Sequence, residues 1–217
     1  VRPAAIIAAA TLGTAAYVWW QSAQASQVPA GGSGDATSAD DSYSGPDAVD
    51  WLNSTWDSMT SNTTINDALQ AANMQAFLTL VRTGEGTLGA NGYRTLYGGR
   101  LFDSFADHPR ISVTAGGWTS TAAGAYQILS KTWNRAQAAL GLTDFSPASQ
   151  DAAAVWLIQQ RGALGDVLAG RFDAAISKCN KEWASLPGSP YGQPTLTLDR
   201  AHQVLAANGA DMGSAYA

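Results

Sequence analysis

MQAFLTLVRTGEGT, residues 74–87, begins as a helix and ends as something else. Met74, Phe77, Leu78 and Val81 recur at the three- and four-residue spacing of one helix face, and Leu69 and Ala72 carry that face backwards. The pattern predicts a helix entering the core, with Asn66 or Asp67 as its cap. It stops at Thr83-Gly84, where one glutamate stands between two glycines. Such a residue is ordinarily solvated, with a carboxyl pKa of about 4.3. Partial burial disfavours the carboxylate and raises that value, which turns a glutamate into a proton donor near neutral pH. Glu85 is placed for either role. It closes a helix whose face is buried, and Gly84 and Gly86 remove side chains beside it, leaving space for a bulky ligand.

After Glu85 the chain is polar and glycine-punctuated as far as Trp118. Within it, YRTLYGGRLF (93–102) predicts two short strands around Gly98-Gly99. Helical spacing returns at AYQILSKTWNRAQAALGL, with Ile128, Leu129, Trp133 and Leu140 on one face. It continues through SPASQDAAAVWLIQQRGAL, where Ser146 precedes Pro147 like a cap, and through DAAISKCNKEWASL and LDRAHQVLAAN. One long helix, a small β-rich lobe and several further helices make an α+β domain. GAYQI puts Tyr126 and Gln127 in the first turn of a helix, where a phenol face and an amide suit a sugar ring; a purely core Tyr126 is the alternative. EWASLPGSPYGQ ends a helix before Pro187-Gly188 and leaves Tyr191 and Gln193 on a loop able to rim a cleft. Asp103, Asp107, Asp144 and Asp151 are the candidates for a second catalytic carboxylate, but none has a setting like that of Glu85. Asp144 and Asp151 read as cap or helix-surface residues.

Charge is sparse, at 13% of residues with a formal net charge of −5, and it is unevenly spread. Residues 26–69 hold seven acids and neither Lys nor Arg, whereas the remainder to the C-terminus is nearly neutral. No basic surface suggests nucleic acid. Cys179, the sole cysteine, excludes an intramolecular disulfide and a CxxC metal site, and reads as a buried thiol on a helix. With two histidines in the chain, neither a metal site nor a cofactor is expected. Residues 4–20 are uncharged and just long enough to span a bilayer core, with Tyr17, Trp19 and Trp20 suited to an interface. The expected organisation is a hydrophobic anchor helix over 1–25, held by a membrane or an assembly. An acidic linker over 26–62 follows, containing a short amphipathic helix at 46–59, and then a catalytic domain over 63–217. A secretory signal ending near Ala23-Gln24-Ala25 is the alternative for the first segment.

Read together, the motifs resemble the family of the bacteriophage lambda endolysin, lytic transglycosylases with a lysozyme-like fold. The resemblance runs from about Asn73 to Gly209. EGT, NGY, DHPR, DFSPASQDA, RGAL, KEWASLPG and YGQ occur in order, and DFSPxSQDA with WASLPGxxYGQ is the most specific part. It implies an α+β lysozyme-like fold with Glu85 as the catalytic acid. It also implies cleavage of the bond between N-acetylmuramic acid and N-acetylglucosamine, with closure of a 1,6-anhydro ring that needs no second carboxylate. Tyr126, Gln127, Tyr191, Ser120 and Gln193 carry over as substrate-binding residues. Two positions depart from the family: Arg94 stands where an acid follows the NGY tyrosine, and Ala125 where an arginine precedes YQ. The expected partner is peptidoglycan, with membrane or phage structural proteins as partners of residues 1–60. The expected context is a virion-associated protein of the tail or entry apparatus, acting in the host periplasm. The alternatives are an exported lysis endolysin, a hydrolytic muramidase and a silent glycan-binding module.

Overall fold

A computed structural model of the protein describes residues 64–213. The expected anchor (1–25), linker (26–62) and amphipathic helix (46–59) lie outside the described residues. A helical segment over 64–69 leads into α1 (Ala72–Gly84), so the expected single helix is broken at Gln70-Ala71. Asn66 and Asp67 lie inside the first segment, and Ala71, the residue before α1, supplies no side-chain cap. Packing, not capping, therefore holds α1. Met74, Ala76, Phe77, Leu78, Leu80 and Val81 are all buried, and each large apolar side chain contributes about 1.5–3 kcal/mol.

The small lobe follows. Gly92–Arg94 and Tyr97–Gly99 form two 3-10 turns, not the expected hairpin over 93–102. Thr95 and Leu101 form a single bridge across Gly98-Gly99, held by the Leu96 amide on the Arg100 carbonyl (2.7 Å) and the Phe102 amide on the Arg94 carbonyl (3.0 Å). Beyond it the chain pairs with another loop, the Tyr97 amide donating to the Ala122 carbonyl (2.8 Å) and the Gly124 amide to the Thr95 carbonyl (2.8 Å). The sheet lies further on, as β1 (Val113–Ala115) and β2 (Trp118–Ser120), antiparallel with Thr114 opposite Thr119. Gly116 and Gly117 link them in two residues, both with positive φ (59° and 84°), the backbone a tight hairpin requires.

Five helices complete the helical lobe: α2 (Ser130–Leu140), α3 (Pro147–Gln160), α4 (Leu164–Leu168), α5 (Phe172–Cys179) and α6 (Leu198–Ala207). Ser146 caps α3 as its sequence suggests, accepting from the Ser149 amide, and Pro147 occupies the first turn. Six consecutive residues of α3, Ala153 to Ile158, are buried, so this helix is apolar on every side and runs through the core. The helix α6 packs back on α1, and Asn73 of α1 reinforces the contact by accepting from the Asp211 amide (2.8 Å) while donating to the Leu168 carbonyl (3.1 Å).

An aromatic cluster joins the small lobe to the helices. Phe145 meets Trp133 edge-on at 4.7 Å and His108 at 4.8 Å, and Phe102 packs on both Phe105 and Phe145. The DHPR motif closes this junction. Asp107 accepts from the Trp133 indole (2.9 Å) and from Arg110 (3.0 Å). His108 receives the Arg110 amide on Nδ1 (3.0 Å), so its Nε2–H donates to the Ile128 carbonyl (2.9 Å) and the ring is neutral. Burial pushes its pKa down in agreement. Cys179 is buried at the end of α5, and burial raises its thiol to about 12.

Candidate active site

The last turn of α1 delivers Glu85 to the floor of a cleft of about 870 Å³ between the lobes. Each residue of GEGT, 84–87, has a separate part in this. Glu85 continues the helix for one more bond, its amide donating to the Val81 carbonyl (2.9 Å). Gly86 then turns the chain out of the helix with φ at 69°, a left-handed conformation that disfavours a side chain. Thr87 is buried, and its hydroxyl donates to the carbonyls of Arg82 and Ala125. Gly84 is a matter of space. A Cβ there would overlap the Ser185 hydroxyl and stand 2.9 Å from its Cβ. The room expected for a sugar is thus occupied by Ser185, whose hydroxyl donates to Glu85 Oε1 at 2.7 Å.

Enclosure pushes the Glu85 carboxyl up from 4.5 to about 7, and the Ser185 bond, which favours the charged form, offsets part of that rise. A carboxyl poised there can give up a proton and take one back near neutral pH.

Four of the five expected binding residues line the same cleft: Ser120, Gln127, Tyr191 and Gln193. Tyr191 is 46% exposed and donates to the Lys181 carbonyl (2.9 Å). Gln127 sits in the turn between Ala123 and Ile128, before α2 begins and not within a helix. Its φ of 47° is unusual for a residue with a side chain, and its amide nitrogen donates to Thr95 (3.1 Å) and Gly124 (3.0 Å). Strain held this way at a cleft wall is common where a side chain must be aimed.

Tyr126 does not reach the cleft. Its ring is buried at 2% exposure, its hydroxyl donates to Asp151 (2.6 Å), and its carbonyl accepts from the Trp183 indole (3.1 Å). The tyrosine thereby fixes the turn that aims Gln127. Gln150 and Asp151 of the SQDA motif do the rest. Buried Gln150 accepts from the Ala125 amide (2.8 Å) and donates to the Phe145 (2.8 Å) and Tyr93 (3.0 Å) carbonyls. Asp151 takes a second tyrosine hydroxyl from Tyr93 (2.8 Å), so it is an organising carboxylate and not a helix-surface residue. Burial raises its pKa.

The other carboxylates are committed elsewhere. Asp103 pairs with Arg94 (3.2 Å) in the open, Asp107 serves the junction, and Asp144 accepts from the Ser149 hydroxyl (2.7 Å). None of these, nor Asp151, lines the cleft. Glu182 does, and both Nε and Nη2 of Arg161 hold one of its oxygens, at 3.0 and 2.6 Å. Sequence reasoning missed that pair, Ser185 and the half-exposed Trp118. Ser185 and Glu182 lie in KEWASLPG, but only a fold that brings residue 185 back to residue 85 gives the motif its meaning.

A family model described as Endolysin matches residues 75–212. The chain belongs to the endolysin family. The endolysin of Escherichia phage lambda is 45% identical to it over 126 residues, 55% of this chain and 80% of that relative. The endolysin of Escherichia phage P2 is 40% identical over 144 residues, 59% of this chain and 87% of the relative. Among solved structures, the bacteriophage lambda lysozyme complexed with a chitohexasaccharide is similar at a TM-score of 0.61 and 41% identity, covering 64% of this chain and 95% of that one. A second structure of the lambda lysozyme gives a TM-score of 0.57 at 40% identity, with the same coverage. The α+β, lysozyme-like fold expected of the sequence is the fold of this endolysin, which is a lysozyme-like, peptidoglycan-degrading enzyme.

Proposed function

We propose that this endolysin is a lytic transglycosylase, cleaving the β-1,4 bond between N-acetylmuramic acid and N-acetylglucosamine with Glu85 as its only acid–base group. The supporting observation is one carboxyl titrating near 7 on the floor of the cleft, with the other cleft carboxylate held by an arginine. Protonated Glu85 gives its proton to the bridging oxygen, and the bond from C1 breaks through an oxocarbenium-like state. The resulting carboxylate then takes the proton of the muramic acid's own C6 hydroxyl. O6 bonds to C1, a 1,6-anhydro ring closes, and Glu85 is again protonated. Because an internal hydroxyl replaces water, no second carboxylate is needed. The chitohexasaccharide bound by the lambda lysozyme supports a glycan strand as the cleft's occupant. In that reading Trp118 and Tyr191 offer exposed aromatic faces to sugar rings, while Ser120, Gln127 and Gln193 offer hydrogen bonds.

Mass spectrometry of the products tests the reaction. Anhydro ends are one water lighter than reducing ends, and reducing ends would assign the chain instead to the hydrolytic muramidases, with Glu182 as the carboxylate to examine. Glu85→Gln is expected to lower clearing of purified cell walls by about 10²–10⁴-fold with the fold intact. Unchanged clearing would leave only a glycan-binding role.

Action on the host wall at lysis is the context favoured by relatives called endolysins. A virion-borne role, resting on the acidic linker and tryptophan-bearing pattern of residues 26–59, is the second reading; finding the full-length chain in purified particles would support it. The proposed attachment through residues 1–25 is separate from the described residues, among which no helix is long and apolar enough to cross a membrane.

A further inference from the structure

The elements lining the cleft differ in charge. β2 contributes Trp118, Thr119 and Ser120, none ionisable in the working range. The helical lobe contributes Lys131 and Arg135 from α2, Arg161 from just after α3 and Lys181 from just after α5. Against these four cations the described lining residues include two acids, Glu85 and Glu182. Arg161 is committed to Glu182, so the helical side of the cleft is left net positive. Composition does not force this, since residues 64–213 hold equal numbers of acidic and basic side chains and the whole chain is acidic.

Lys131 and Arg135 are one helical turn apart and share a face of α2. Arg135 is seated with its guanidinium carbon 5.9 Å from the centre of the Trp156 ring, and both Arg135 and Lys181 are exposed. An uncharged glycan makes no use of such a surface. Peptidoglycan differs from chitin in the lactyl ether of each muramic acid and in the peptide stem amide-bonded to it, and the stem carries free carboxylates.

We infer that Arg135 and Lys181, with Lys131 beside them, form a subsite for the carboxylates of the peptide stems, so that the enzyme selects strands with charged stems over uncharged ones. The inference rests on the reading of the cleft as a peptidoglycan site. It divides the cleft between a neutral side that holds sugars and a cationic side that recognises what the sugars carry.

The test uses the full chain and soluble, uncrosslinked peptidoglycan strands in two forms, native and with carboxylates converted to neutral amides by carbodiimide and methylamine. Capping is expected to raise the wild-type KM about fivefold, the effect of losing one or two exposed ion pairs. The R135Q/K181Q variant should show that raised KM already on native strands, with no further rise on capped ones. The wild-type preference for native strands should shrink as salt is added. A variant equally impaired on both substrates, or a wild type indifferent to capping, overturns the subsite. If the wild type cleaves neither form, the assigned cleavage fails and not merely its specificity.

Discussion

Ser185 and Glu85 are a hundred residues apart and share one proton-poised site. The hydroxyl donates to the carboxylate, so it lowers a pKa that enclosure has raised to about 7. Removing it in Ser185→Ala should move that pKa further up. Glu85 must be protonated to act, so the fall of kcat with rising pH should shift to higher pH, by about half to one unit, in a pH–rate profile. A merely structural serine would lower activity without moving the limb. Stability follows from the same displacement. The folded pKa lies above the unfolded one, so the folded state binds the extra proton between about pH 4.5 and 7. Ionised Glu85 therefore destabilises the protein increasingly across that window and fully above it. Glu85→Gln should melt with wild type near pH 4 and be more stable at pH 8, on the order of 2 kcal/mol, allowing for the side chain's partial exposure to the cleft. Thermal melts at the two pH values check it, and equal stability at pH 8 would deny the raised pKa.

At the scale of elements, α3 organises the small lobe as much as the core. Gln150 and Asp151 gather Tyr93, Ala125 and Tyr126 around the turn that carries Gln127. Gln150→Leu would keep the volume but strand the Ala125 amide and two carbonyls in the interior, with an expected loss of about 3 kcal/mol. Urea unfolding with an unchanged slope would register it. The helices were largely legible in the sequence, because period and caps are local signals: Ser146-Pro147 marks the start of α3, and α1 shows its buried face. The sheet was not. Gly98-Gly99 and Gly116-Gly117 both have positive φ, and only the second joins paired strands, since the first closes a single bridge before Tyr97 bonds to Ala122 of another loop. Which of two similar turns becomes a hairpin is settled by distant partners.

In the molecule as a whole, α1 and α6 pack together, and Asn73 stitches α1 to Asp211 and Leu168. Removing residues 198–213 would uncover the α1 face that meets Ala201, Val204 and Leu205, and should abolish cooperative unfolding. A protein made of residues 64–213 should instead fold and clear purified cell walls, as every cleft residue lies within it. Circular dichroism and turbidity assays decide both. By itself the sequence determined the helices, the lysozyme-like class and the prominence of Glu85, because spacing, caps and ordered motifs are written along the chain. Only the tertiary structure decided what surrounds that glutamate. It placed Ser185 in the space left by Gly84, took Tyr126 into the core, locked Glu182 to Arg161 and gathered cations on one side of the cleft. The reason is physical: a pKa and a charge pattern depend on through-space neighbours, and separation along the chain says little about which those will be.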